Sequence, residues 1–499
     1  MFLNNPDIQT LPSTSAMSKR KKASPLLEQH SNKIWQTLRC LSHDEHIRLL
    51  RFLRSPYFIT SKHMAPLCEV FVRLIERGEV GFDRAQIWQK LFPNEPYDDV
   101  NFRKYCSDLF RLTGEFMAQE IATTDEARQA IGTLSYAVQH KVEPMLPTAL
   151  RQARAALEKK PYRSLDDFLN AYSIERQYYE MMEFAVKVNA RANLEEISSQ
   201  LDLFYWIEKL KLLSAMLSQQ RTGNHQYDLK FTDQILDFLR DYPVDDVPEL
   251  AIYYYSYLTL YEEGNVAHYY NFRRLLDTHA TVMPQKEAIE LFDAALHYCT
   301  GKINKGDRFF FQEYFDLFAE AIQKGIFLQN GELATWRFTN IVAAALGLGK
   351  LEWAENFVEN FKDHLPMDSR QNTYTFNLAR VYRFQKKHDE VLDLLQNVEY
   401  EDIGVNLISK LTLLITHYER KDHEVLDSFI ESFRVFLNRH KNIPQQRRLS
   451  YLNLLKYTRR IMRLTPGDKL AVIKLRDEIS REKATIVNHE WLLEKLGEM

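Results

Sequence analysis

Apolar residues recur along this chain at spacings of three and four, interrupted by short polar turns, over almost its whole length. That period marks amphipathic helices, each with a stripe that must be buried against another element. In EHIRLLRFLRS, starting at Glu45, either Ile47, Leu50 and Leu53 or Leu49 and Phe52 fall on one side. Ser42 and Glu45 have the spacing of a capping box, in which each side chain satisfies a free amide at the helix start. Pro56 stops this helix, with Tyr57 and Phe58 in the turn. A second helix is expected from about Met64 to Arg77, ending at Gly78, and a third in FDRAQIWQKLF, N-capped by Asp83 and stopped by Pro93. After the turn PNEPYDD, VNFRKYCSDLFRLTGEFMAQ reads as a long amphipathic helix. Further on, SLDDFLNAYSIERQYYEMMEFAVKVNAR keeps the helical period through Phe168, Tyr172, Ile174 or Glu175, and Tyr179. LDLFYWIEKLKLLSAML is apolar nearly all round, as suits a helix packed between neighbours, and Gly223-Asn224 marks the turn after it.

From about residue 248 the pattern becomes a recurring unit of helix, tight polar turn and second helix. It is clearest in TNIVAAALGLGKLEWAENFVENF (Thr339 to Phe361) and TFNLARVYRFQKKHDEVLDLL (Thr375 to Leu395). Turn centres fall near Gly264, Lys305-Gly306, Gly349, Lys387 and Lys421, about 34 to 43 residues apart. Pro284, Pro366 and Pro444 are expected to close the second helices of three units. Such pairs cannot bury their apolar faces alone, so they stack and leave a long surface for a partner. Gly supplies 15 residues and Pro 16 of 499, below the usual ~7% and ~5%, which favours long helices over a turn-rich β fold. The expected class is all-α. It comprises a disordered basic tail (1–30, with SKRKK at Ser18 to Lys22), an N-terminal helical domain (31–125), a helical connecting region (126–247), the repeats (248–466) and a capping helix (467–499, from about Asp468 to Leu496).

Gly349-Lys350-Leu351-Glu352-Trp353-Ala354, with Val358, Phe361 and Pro366, resembles the second half of a tetratricopeptide repeat. Ala354 stands where that family keeps a small residue for close helix contact. Asn377-Leu378-Ala379 with Tyr382 and then Asp389-Glu390-Val391 resembles the next repeat, although Val391 replaces the small residue and Lys386-Lys387 the usual Gly. The resemblance implies a right-handed helical solenoid that binds peptides or protein surfaces.

Composition narrows the function by exclusion. Lys and Arg number 65 against 68 Asp and Glu, a formal charge of −3, so the chain is no globally basic nucleic-acid coat. Cys40, Cys68, Cys106 and Cys299 are far apart, form no CxxC pair and are expected as buried reduced thiols. No apolar run of about 18 residues is present, so membrane insertion is not expected. The start lacks a basic region followed by an apolar core, and the expected location is cytoplasmic.

Catalytic motifs are missing as well. GKINKGDR and GLGKLEW contain Gly and Lys but not GxxxxGK[ST], and HExxH, GxSxG and DxDxDG do not occur. His43 and His46 have a metal-ligand spacing without a third ligand nearby, and read as the solvated start of a helix. Glu175, Glu180 and Glu183 lack the Glu-x-x-His partners of a di-metal bundle and read as surface residues. The cluster Tyr253, Tyr254, Tyr255, Tyr257 and Tyr261 reads as packing between helices, with a lining of an aromatic groove as the alternative. The expectation is a non-enzymatic protein without cofactor or metal.

Between Arg434 and Gly467 there is no Asp or Glu, while nine residues are basic. Tyr451, Leu454, Leu455, Thr458 and Met462 define one helix face, and Lys456, Arg459, Arg460 and Arg463 another. This basic side, with Arg448, is the expected partner-binding face for an acidic protein surface or phosphates. The alternative is that these cations pair with acids elsewhere in the chain. A rival function rests on RAQIWQKLFPNEPYDDVNFRKYCSDLFRL, which resembles the two-helix core of winged helix-turn-helix domains in bacterial activators with tetratricopeptide-like regions. Ile87, Trp88, Phe92, Phe102, Arg103, Ser107 and Leu109 match in kind. The resemblance implies a DNA-binding regulator in which Arg103, Lys104 and Arg111 face phosphates. No hairpin wing follows in the sequence. The principal expectation is therefore a protein-binding scaffold, with nucleic acid as the alternative partner.

Overall fold

A computed structural model of the chain describes residues 32–59, 61–182, 192–222, 226–395, 402–465 and 468–499. The basic tail, Glu183 and the Gly223-Asn224 turn lie outside the described residues. Among those described, 23 α-helices make up nearly all the regular structure. One exception is a minimal antiparallel hairpin, Leu328–Gln329 against Glu332–Leu333. Asn330 and Gly331 form its turn with φ of 51° and 80°, the positive values that a tight two-residue hairpin requires. The helical period gave no sign of it, but the Asn-Gly pair carries that signal.

By contact, the described chain falls into two compact units, one comprising residues 32–161 and 166–202, the other 162–165 and 203–499. In the first, local chemistry sets the helix ends. Ser42 and Glu45 form the expected capping box at the start of His43–Leu53. Asp83 and Asp98 accept amide hydrogen bonds at the starts of Arg84–Leu91 and Asp99–Thr124. Gly78, at φ +76°, ends Met64–Glu76. The buried side of His43–Leu53 is Leu49, Phe52 and Leu53, whereas Ile47 is exposed. These pack with Trp35, Phe71, Phe82, Trp88, Phe102 and Phe116 into one aromatic core. A smaller cluster around Leu134, Ala153 and Ile174 joins Glu126–Gln139, Leu146–Glu158 and Leu165–Met181.

In the second unit five helix hairpins follow one another: Pro248–Tyr261 with Val266–His279, Gln285–Asn304 with Phe309–Gln323, Thr335–Gly347 with Leu351–Phe361, Arg370–Phe384 with His388–Leu395, and Ile403–Glu419 with His423–Arg439. All five expected turns are present. Four share one geometry, with a left-handed residue at Gly306, Gly349, Lys386 or Lys421. The next amide then donates to the carbonyl five residues back: Asp307 to Lys302, Lys350 to Ala345, Lys387 to Tyr382 and Asp422 to His417. Lysine thus serves at two positions where glycine is the easier choice. Pro284 and Pro444 act as N-caps of the helices that follow them. The second helices Val266–His279, Phe309–Gln323, Leu351–Phe361 and His388–Leu395 each pack against the first helix of the next hairpin, and His423–Arg439 packs against Gln445–Met462.

The chain ends in three helices, Gln445–Met462, Lys469–Glu482 and His489–Gly497. The single capping helix expected after 467 is therefore broken, at the short 3₁₀ turn Lys483–Thr485 and the left-handed Asn488. Trp491, Leu492 and Leu496 bury the last helix in a core shared with Leu414, Tyr451 and Leu454. Lys495 reaches Glu419 at 3.5 Å and Glu498 at 2.8 Å.

Candidate functional site

The expected basic face lies on Gln445–Met462, with His423–Arg439 on one flank and Lys469–Glu482 on the other. Tyr451, Leu454, Leu455 and Thr458 are buried, as the period requires, with Met462 half-buried at their edge. The cations do not act alike. The Arg448 guanidinium donates to the carbonyls of His440 and Ile443, both at 3.1 Å, and so closes the end of the preceding helix. Arg459 pairs with Asp427 at 2.9 Å and Glu431 at 3.7 Å. Arg460 pairs with Glu478 at 2.6 Å and holds its carboxyl below the ordinary range. Lys456 lies 4.7 Å from the Tyr457 ring and is exposed, as is Arg463. Pairing within the chain thus takes Arg459 and Arg460, backbone capping takes Arg448, and Lys456 and Arg463 face solvent.

Arg459 and Arg463 line a cleft of about 320 Å³ together with His423, Glu424, Asp427 and Met462. Its charge is mixed, because Glu424, Asp427 and Glu431 recur at helical spacing on the neighbouring helix. The sequence carried that acidic row, but only packing sets it against Gln445–Met462. A second set of polar contacts joins first helices of successive hairpins. Tyr253 donates to Glu287 at 2.6 Å, Arg337 to both carboxylate oxygens of Asp293 at 2.6 and 2.7 Å, and Asn377 to Thr339 at 3.2 Å. Patterning alone gave no sign of these contacts.

Other candidates resolve into structural roles. Tyr253, Tyr254 and Tyr257 are buried, Tyr255 bonds to Asp245 and Tyr261 to Asp233. His46 is buried against the Leu38 carbonyl at 2.8 Å, whereas His43 meets Glu76 at 2.9 Å. Glu175 holds Arg154 through two 2.7 Å bonds, and Glu180 pairs with Arg176. Cys68, Cys106 and Cys299 are buried, with desolvation pushing their thiols up to about 12, 11 and 12, but Cys40 is exposed, contrary to expectation. In the segment resembling a helix-turn-helix core, Asp99–Thr124 runs on as one 26-residue helix, and no strand follows it among the described residues before Leu328. Arg103 pairs with Asp99 and Arg111 with Glu115, while Lys104 is exposed.

No described helix is long and apolar enough to cross a membrane. Comparison of the chain with protein-family models, with characterised proteins and with solved structures finds no match.

Proposed function

We propose that this chain is a non-enzymatic docking scaffold, a tetratricopeptide-like solenoid whose helix faces receive a protein partner. The observation that carries this reading is the four successive contacts in which one hairpin's second helix meets the next hairpin's first helix, continued by His423–Arg439 against Gln445–Met462. A unit built this way grows in one direction and offers extended surface relative to its core. The polar bonds from Tyr253 to Glu287, Arg337 to Asp293 and Asn377 to Thr339 support the same order of first helices. At the C-terminal end, Arg463 at the cleft and Lys456 on the same helix are the two cations of this face left to meet an acidic partner surface.

The test is affinity capture of the tagged full chain from its own cells, with and without nuclease, beside the Lys456→Glu/Arg463→Glu variant. A stoichiometric protein that survives nuclease and is lost from the folded variant supports the scaffold and its basic end. A partner retained by the variant removes Lys456 and Arg463 from the site. Capture abolished by nuclease would favour the nucleic-acid reading instead.

A further inference from the structure

Phe231 breaks two local rules at once. It stands at the N-cap of Thr232–Asp241 in the left-handed region, at φ 62°, and its side chain makes no capping bond. Bulky residues rarely take that conformation, and Ser, Asp, Asn or Gly is the easier choice at a helix start. The ring is 62% exposed, so burial does not offset the strain. Strain left uncompensated within the chain points to a role in contact with something else. Phe238 and Tyr242 follow Phe231 by seven and eleven residues, close to two and three helical turns. Phe238 is 52% exposed, and its ring lies 4.9 Å from that of Trp206 and 5.9 Å from that of Tyr242. Trp206, on Leu194–Thr222, meets Tyr242 at 5.1 Å. One edge of Thr232–Asp241 is thus an aromatic ridge.

The charge around this ridge decides what fits it. Asp237 and Asp241 stand exposed beside it, one helical turn apart. Between Asp228 and Glu249 seven residues are acidic and two basic. Both basic residues, Lys230 and Arg240, pair inside the segment, with Asp228 at 3.5 Å and Asp237 at 2.6 Å. On the Trp206 helix, Lys211 pairs with Glu290 at 2.7 Å, and Lys209 is balanced in sequence by Glu208. Exposed aromatic rings stack on unpaired bases, enter lipid or bind protein. A field of this sign repels the phosphates of nucleic acid and of anionic lipid, which leaves protein. A basic amphipathic helix is complementary, because its arginines can lie over the rings and reach the aspartates while its apolar side covers the ridge.

We propose that Phe231, Phe238, Tyr242 and Trp206, with Asp237 and Asp241, form a docking surface for a basic amphipathic helix of a partner protein. The surface precedes the first hairpin and is opposite in charge to Lys456 and Arg463, so the inference is independent of the docking reading. The probe is a fluorescein-labelled synthetic helix of about 15 residues, with arginines on one side and leucines on the other. Fluorescence anisotropy on titration with the full chain should show saturable one-to-one binding that weakens with salt. Phe238→Ser and the pair Asp237→Asn/Asp241→Asn should each weaken binding roughly tenfold. Phe231→Asn should weaken it while raising the melting temperature, because asparagine tolerates the left-handed cap. Lys456→Glu/Arg463→Glu should leave it unchanged. No saturable binding by the wild type would overturn the proposal, as would equal affinity in the wild type and the Phe231, Phe238 and aspartate variants.

Discussion

Arg337 and Asp293 form a two-pronged ion pair between the first helices of consecutive hairpins, with bonds of 2.6 and 2.7 Å. The Arg337 guanidinium also lies 4.0 Å from the Phe327 ring and 4.3 Å from that of Trp336, so its position is fixed on its faces as well as its edge. Arginine suits this place because a planar fork can stack and bond at once, whereas lysine cannot.

Asp293→Ala leaves the buried Arg337 without its acceptor. The expected loss is about 2 kcal/mol, in the range of hydrogen bonds to charged groups, read as a lower denaturation midpoint at an unchanged slope. Arg337→Lys should lose nearly as much. Full stability in both variants would show that apolar packing alone joins these two hairpins.

Gly347→Ala tests the close approach of Thr335–Gly347 to the preceding hairpin. The new methyl would meet the Phe311 ring at 2.6 Å, and that ring is itself buried. Overpacking of this kind is expected to cost about 1–3 kcal/mol. At Gly349 the reason for glycine differs, because a Cβ there has open space but φ is +69°. Gly349→Ala should therefore destabilise through backbone strain, by about 1 kcal/mol, and Gly349→Asn by less.

The five cations of the basic face should separate into two groups. Lys456→Ala and Arg463→Ala are expected to shift stability by no more than about 0.5 kcal/mol. Arg448→Ala uncovers the His440 and Ile443 carbonyls and should destabilise by about 1–3 kcal/mol. Thermal melts of the single variants decide the matter, and equal effects across all five would contradict the division.

Burial holds the His417 and His489 imidazoles below their ordinary 6.5, despite the opposing pull of Asp422 on one and Glu490 on the other. Arg420 and Lys483 add to the lowering. The fold thus prefers both rings neutral, while the unfolded chain protonates them at about 6.5. Their contribution is complete above 6.5 and is lost as pH falls from there through the depressed folded values. Melting temperature should fall between about pH 7.5 and 5.5. Replacing both with Gln should reduce that fall, and an identical pH profile in the double variant would exclude the two rings as its source.

The helical class, several helix ends of the first unit and all five hairpin turns were legible in the sequence, because they rest on local physics. An apolar period of 3.6 residues fixes which side of a helix must be buried. Ser42, Asp83 and Gly78 fix where helices begin or end through bonds made within a few residues. What lay out of reach was each case in which distant segments compete for the same group. Arg448, Arg459, Arg460, Lys456 and Arg463 look alike along one helix. Their roles diverge because His440, Asp427, Glu431 and Glu478 reach some of them and not others. The same holds for Gly114 and Gly347, both mid-chain helical glycines, of which only the second touches another helix. Periodicity states that a face will be covered. Only the packed chain decides by what, because pairing and contact depend on how separate helices are set against one another, which no local period encodes.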